Sequence, residues 1–326
     1  MGYGFHGQII HRAARMTGGI GAKIVAILDH NKTTHASIKG GRPTLYTQIE
    51  HFLQHPGMDA VIIATPPQTH LTIVESVARS GIPIMLEKPI SPNYKEAKAV
   101  VSTANRAGIK FMVGLTTHYR PEMILAERLL REGKIGDIRT IQEQIVIGLK
   151  PFPMNYVARS NGGGVLLENG IHLLDHLMWF GGPVSKLFGA SIGKYFLDGH
   201  HEDVCMFQAA HENGVLSQGH LQWMPYKEAG GFRLMVYGSK GCLEVRGLDS
   251  VRVNTLGRSD FFPLYNDDSN YIDSFVARHL PGVIGQLRDF AAYVRGEKNP
   301  EVSTEHALEA HRWIDKIYRV AGKRPD

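Results

Sequence analysis

Gly2-Tyr3-Gly4-Phe5-His6-Gly7 is the stretch on which the reading of the fold turns. It fits G-x-G-x-x-G and leads into a helix start at Gln8. Small residues stand where the backbone must turn tightly and approach a pyrophosphate, whose charge then lies at the positive end of the following helix. Alone, so short a pattern is weak. Asp29 strengthens it, because it ends the next strand-like run at about the 20-residue distance where a dinucleotide fold places a carboxylate for the adenine ribose hydroxyls. A carboxylate there repels a 2′-phosphate, so the expected cofactor is NAD rather than NADP, a preference that the nearby His30 and Lys32 would soften.

Outward from this motif, Ala22 to Asp29, Asp59 to Thr65, Pro83 to Glu87 and Lys110 to Gly114 are continuous apolar runs, the pattern of strands buried on both faces. Helical patterns lie between them at Tyr46 to Gln54, Gln68 to Arg79 and Asn93 to Arg106, ended by breakers such as Pro56-Gly57 and Gly81. Strand-helix alternation of this kind implies a parallel, doubly wound sheet, here a Rossmann domain over residues 1–119. The fingerprint should follow a strand, yet it begins at residue 2, so the first strand is missing from the sequence. The expectation is a working protein with roughly six to ten more apolar, β-branched residues upstream, the usual length of a strand. Without them the chain should fold poorly or bind NAD weakly, since buried backbone groups lacking partners each cost about 1–3 kcal/mol.

After Pro121 the rhythm changes. A helix at Glu122 to Arg131 and a Gly-rich entry to another at Gly162 to Phe180 precede strand candidates at Val184 to Tyr195, Asp203 to His211, Val215 to Met224, Phe232 to Tyr237 and Cys242 to Val245. Glu212-Asn213-Gly214 and Gly238-Ser239-Lys240-Gly241 supply hairpin turns. Residues 120–326 therefore read as an α+β domain on a large, mostly antiparallel sheet, closed by helices at Val283 to Arg295 and Thr304 to Ala321.

The composition, 43% hydrophobic and 21% charged over 326 residues, is that of a globular chain of two domains. The formal charge of +5 is scattered, with none of the basic blocks that nucleic-acid sites show. Two cysteines, Cys205 and Cys242, are too few for a secreted disulfide framework. There is no charged-then-apolar leader and no run near the roughly 20 apolar residues of a membrane helix. A soluble, cytoplasmic protein is expected.

Two clusters carry chemistry. Glu87-Lys88-Pro89 ends a strand candidate of the parallel sheet, where ligands sit in open α/β folds. A lysine there can donate a hydrogen bond to a reacting oxygen, and Pro89 holds it extended. In the second, Gly162-Gly163-Gly164-Val165-Leu166-Leu167-Glu168-Asn169-Gly170-Ile171-His172-Leu173-Leu174-Asp175-His176, the residues Glu168, His172, Asp175 and His176 share one face if the segment is helical. A carboxylate one turn before a histidine can orient it as a general base. The same residue types could ligate a metal, but hydride transfer to a nicotinamide needs a proton acceptor and no metal, so none is expected.

These motifs, together with Ala64-Thr65-Pro66-Pro67, His70, Gly114 and Tyr119-Arg120-Pro121, resemble those of the glucose-fructose oxidoreductase and inositol dehydrogenase family (Gfo/Idh/MocA) in order across essentially the whole chain. The resemblance implies that Lys88, Glu168 and His172 form the catalytic constellation, with Asp175, Lys88 and Tyr119 at the substrate. It implies that Gly2, Gly4, Phe5, His6, Gly7, Asp29, Thr65, Pro66, His70, Glu87 and Lys88 line the cofactor. It implies a homodimer or homotetramer through the C-terminal sheet, and hydride transfer between NAD and a secondary alcohol or ketone of a sugar, inositol or polyol. An NAD-dependent glycosidase and a non-catalytic NAD-binding regulator are the alternatives. Glu168 departs from the aspartate that many members carry, reaching one methylene further. Substrate-recognising groups are expected from Lys150 to Asn161 and His200-His201-Glu202, whose sequences carry no readable code.

Overall fold

The computed structural model describes residues 1–16, 20–31, 38, 43–148, 162–226, 230–247, 249–264 and 271–322, the side chains of 271–278 excepted. Lys32 and the 150–161 loop lie outside the described residues. The chain divides into two compact units, one of residues 1–91, 95–120 and 270–308, the other of 92–94, 121–269 and 309–326.

The first unit begins with helix α1 (Phe5–Met16) and alternates strands and helices: β1 (Ala26–Leu28), β2 (Thr44–Tyr46), α2 (Ile49–Leu53), β3 (Val61–Ile63), α3 (His70–Ala78), β4 (Ile84–Glu87), α4 (Tyr94–Arg106) and β5 (Phe111–Gly114). β1 pairs parallel with β2, and β3, β4 and β5 form a parallel sheet in that order. β4 and β5 are buried at every position, as strands covered on both faces must be. Met1 and Gly2 run between the two pieces. The Gly2 amide donates to the Leu28 carbonyl at 2.8 Å, the Ala64 amide to the Met1 carbonyl at 2.9 Å, and the terminal amino group to the Ile62 carbonyl at 2.6 Å. The slot expected between these neighbours thus has bonds to both sides at its carboxyl end.

The second unit opens with α5 (Pro121–Arg131), β6 (Ile138–Gly148), α6 (Val165–Glu168) and α7 (Gly170–Gly181). There follow β7 (Val184–Gly193), β8 (Val204–His211), β9 (Leu216–Met224), β10 (Gly231–Gly238), β11 (Gly241–Arg246), β12 (Ser250–Thr255) and β13 (Arg258–Pro263). These strands make one eight-stranded sheet in the order β13-β12-β11-β10-β6-β9-β8-β7. Every pair is antiparallel except β6 with β9, so the sheet is mostly antiparallel, as expected. Helix α8 (Tyr271–Arg295) then returns to the first unit, and α9 (Thr304–Val320) continues from the first into the second. The α8 residues Leu280, Val283, Leu287 and Phe290 pack with Ile9, Ile10 and Ala13 of α1 and with Met85, Met112 and Tyr119. That shared core is why residues 270–308 belong with the nucleotide-binding fold and not, as the sequence division at 119/120 had them, with the C-terminal half. Among the described residues no helix is long and apolar enough to cross a membrane.

Several elements differ from the expectation. The helix expected over Tyr46 to Gln54 is present as Ile49–Leu53, and before it stands β2, a three-residue, mostly exposed strand that no apolar run announces. Helix α8 starts twelve residues before Val283, through Pro281, whose Pro-Gly pair reads locally as a break. β6 is absent from the expected strands because its inward face carries Glu143 where an apolar residue would complete the alternation. Glu143 is buried against His176 of α7, with Oε1 and Nδ1 2.7 Å apart.

Breaking such a pair leaves a buried polar group behind and costs about 3–5 kcal/mol when the partners are charged. Glu143→Ala should therefore lower unfolding stability by about 3 kcal/mol or more in urea denaturation, while Glu143→Leu combined with His176→Leu recovers much of the loss. A loss below about 1 kcal/mol in the single variant would mean that the pair is not a structural constraint.

Candidate active site

Within the first unit the Gly-rich loop touches three strand ends. Gly2 has a φ of +82° and lies so near β3 that a β-carbon would stand 2.6 Å from the Ala64 carbonyl oxygen. A β-carbon on Gly7 would stand 2.3 Å from the Gly2 carbonyl oxygen, whereas one on Gly4 would meet nothing within 4 Å. The outer glycines close the turn, and the middle one leaves its backbone open to a ligand. Helix α1 starts immediately after, with no acidic side chain of its own in its first turn. This cradle fits a dinucleotide pyrophosphate. Asp29, just past β1, accepts the Tyr3 amide at 2.8 Å on Oδ2 and the Asn31 amide at 2.9 Å on Oδ1. The loop and the expected ribose-binding carboxylate are therefore joined directly.

The third strand end is that of β4. Glu87 is buried, 3.1 Å from His6 Nε2, and accepts Gln286 Nε2 of α8 at 2.9 Å. Burial alone would raise its carboxyl pKa, but His6, the Gln286 bond and Lys88 outweigh burial and hold it below the usual carboxylate range. His279, also on α8, is pushed down to about 3 by burial and by Arg120, His6 and Lys88, so it is neutral at physiological pH. Gln286 and His279 were not legible in the sequence, since they lie some two hundred residues beyond Glu87. Lys88 is half-buried. Thr65 and Pro66 follow β3, and Thr69 donates to the Thr65 hydroxyl at 2.9 Å and to the Pro66 carbonyl at 2.7 Å.

Two expected ligand contacts are given other work by the structure. His70 is fully buried at the start of α3, with its ring nitrogens 2.8 Å from the Thr65 carbonyl and 3.0 Å from the Ile90 carbonyl. It braces the loops after β3 and β4 and presents no surface to a cofactor. Tyr119, expected at the substrate, is buried in the core shared with α8, and its hydroxyl donates to Asp289 at 2.6 Å.

In the second unit the Gly-rich segment is not one continuous helix. α6 is a single turn ending at Glu168, α7 begins at Gly170, and Asn169 lies between with φ −111° and ψ −27°. Its side-chain oxygen accepts Trp223 Nε1 at 2.7 Å. Glu168 and Asp175 are buried, His172 is half-buried, and His176 is the core partner of Glu143 rather than a member of a reacting cluster. Glu202, expected among substrate-recognising groups, is also buried and bonded within this unit.

Because Glu87 has its pKa lowered from 4.5, it contributes stability that is fully present above pH 4.5 and is lost as pH falls through its lower folded-state value. Glu87→Gln should flatten the acid limb of a stability-versus-pH curve measured by denaturant midpoints. An unchanged slope below pH 4.5 would count against the His6–Glu87–Gln286 arrangement.

Residues 1–115 match the oxidoreductase family with an NAD-binding Rossmann fold, and residues 123–244 match the GFO/IDH/MocA C-terminal domain. Inositol 2-dehydrogenase of Rhizobium meliloti (strain 1021) is 26% identical over 336 residues, covering 99% of this chain and 96% of its own. D-apiose dehydrogenase of Paraburkholderia graminis is 30% identical over 200 residues, covering 60% of this chain and 53% of its own. The crystal structure of an oxidoreductase from Agrobacterium radiobacter, in complex with NAD+, L-tartaric acid and magnesium, shares the fold with a TM-score of 0.85 at 20% identity, covering 98% of this chain and 94% of that one. With a matching domain on either side of residues 116–122, the nucleotide-binding loop in the first and the Glu168–His172 segment in the second, this chain belongs to the Gfo/Idh/MocA family of oxidoreductases, and its N-terminal domain is an NAD-binding Rossmann domain.

Proposed function

We propose that this protein is an NAD-dependent dehydrogenase or reductase that interconverts a secondary alcohol and a ketone on a sugar, inositol or related polyol. The observation that carries the reading is the 3.1 Å pair between His6 and Glu87, which ties the open Gly-rich loop to the end of β4, one residue before Lys88. Gly2, Gly4, Phe5, His6 and Gly7 would hold the pyrophosphate, Asp29 the adenine ribose, and Thr65, Pro66 and Glu87 the remainder of the cofactor. NAD bound there supplies the hydride acceptor or donor. The Lys88 ammonium donates a hydrogen bond to the reacting oxygen and stabilises the negative charge that grows on it. His172 takes the hydroxyl proton, Glu168 orients its ring, and Asp175 receives a second substrate hydroxyl. The inositol and apiose relatives support a polyhydroxylated substrate.

The far face of the eight-stranded sheet exposes Met206, Leu216, Tyr237 and Phe261, and it is assigned here to contact between copies of the chain. Both cysteines are free, in keeping with a reducing cytoplasm.

Incubation with NAD and a panel of myo-inositol, scyllo-inositol, D-glucose and D-apiose should yield net NADH. An NAD-dependent glycosidase would show none, because its redox cycle is closed. NAD should be preferred over NADP, and Asp29→Ser should narrow the preference; a native preference for NADP would overturn the assignment of Asp29. Lys88→Ala and His172→Ala should each lower turnover by about 10²–10⁴-fold, with NAD affinity much less affected in His172→Ala. Turnover close to wild type in His172→Ala would remove that residue from the chemistry.

A further inference from the structure

Three consecutive amides at the start of α6 are taken by one distant residue. The Glu202 carboxylate accepts the Gly164 amide at 3.2 Å and the Leu166 amide at 3.1 Å, both on Oε1, while the Glu202 carbonyl accepts the Val165 amide at 3.1 Å. The same Oε1 accepts the Tyr318 hydroxyl of α9 at 2.8 Å. Glu202 is 4% exposed and Tyr318 is 5% exposed, so the cluster is sealed from water. The approach is close enough to exclude side chains: a β-carbon on Gly164 would stand 1.9 Å from the Glu202 carbonyl oxygen, and one on Gly163 would stand 2.8 Å from the Tyr318 hydroxyl. A helix start leaves its first amides unpaired, and α6 is one turn long, too short to hold its own shape without them satisfied.

We propose that Glu202 is a positioning residue for the reacting groups of the second unit: by holding the amides of Gly164, Val165 and Leu166 it fixes the turn that ends at Glu168 and from which His172 follows. The turn transmits the constraint through the backbone. The Glu168 amide donates to the Gly164 carbonyl at 3.0 Å, and the His172 amide donates to the Asn169 carbonyl at 3.1 Å. At the far end of the turn, Trp223 of β9 holds the Asn169 side chain, so α6 is pinned at its start by the segment that precedes β8 and at its end by a strand of the sheet. Glu202 touches no substrate in this assignment and acts only through where it sets Glu168 and His172. The inference rests on the reading of those two residues as reacting groups.

The test compares Glu202→Asp with Glu202→Gln in the full-length protein. Aspartate keeps the carboxyl group but withdraws the acceptor by one methylene, while glutamine keeps an oxygen at the position that receives all three side-chain bonds. With the most active polyol of the panel, Glu202→Asp should lower kcat by about 10²-fold, the cost of a small misplacement of a reacting group, with much smaller changes in KM and in NAD affinity. Glu202→Gln should restore kcat to near the wild-type value. A second measurement needs no substrate: the His172 ring, followed by NMR on ¹³C-histidine-labelled protein, should change its titration in Glu202→Asp and not in Glu202→Gln. Wild-type kcat and an unchanged His172 titration in Glu202→Asp, with only a lower Tm, would overturn the proposal and leave Glu202 a purely structural residue. If no polyol reduces NAD, the proposed function fails, and the His172 titration still decides the positioning role.

Discussion

Gly2 lies against the Ala64 carbonyl at a distance no other residue could accept, and this close approach sets where the Gly-rich loop leaves the sheet. The other contacts at the carboxyl edge of the first unit follow from that position. With Gly2 bonded to Leu28 and Met1 to Ala64, the Tyr3 amide meets Asp29 and the His6 ring meets Glu87. One short turn is thereby referenced to β1, β3 and β4 at once. Gly4, between the two tightly packed glycines, has open space where a side chain would stand, which leaves room for a ligand phosphate to approach.

Buried carboxylates with hydrogen-bond donors against them stand in both units. Glu87 has His6 and Gln286, Glu143 has His176, and Glu202 has two amides and the Tyr318 hydroxyl. Asp203 accepts three successive amides, those of Tyr195, Phe196 and Leu197, at 2.7–2.8 Å. An ionised group out of water is tolerable only with such company, and removing one partner costs more than forming the pair gained. These groups therefore specify position as well as adding stability. Two of them, Glu87 and Glu202, lie beside the residues to which the chemistry is assigned, and there a shift of a fraction of an ångström matters most.

The division of labour between local pattern and long-range packing is plain in individual residues. The glycines at 2, 4 and 7, Asp29 and Glu87-Lys88 were legible because their spacing along the chain is itself the requirement: a tight turn, a helix start and a strand end are local events. The four buried strands of the first unit and most strands of the second were legible from apolar runs and alternation. Motif position does not reveal which way a ring turns, and in the structure the His70 and Tyr119 side chains bond to neighbours in the core. β6 was missed because Glu143 interrupts its apolar face, a fault in the pattern that only His176, 33 residues on, makes good.

What the sequence by itself determined was the class of fold, the nucleotide-binding loop and the residue types available for proton transfer, since each is set by neighbours within a turn or a strand. Only the tertiary structure decided which polar residues are closed into the scaffold. His172 and His176 sit four residues apart on α7, yet one is half-buried and the other is closed in against Glu143. Gln286 reaches Glu87 across 199 residues, and Glu202 reaches Gly164 across 38. Such partners are chosen by where the packed elements bring them, because a buried charge must find its donors in space, and nothing in the spacing along the chain records which donors those will be.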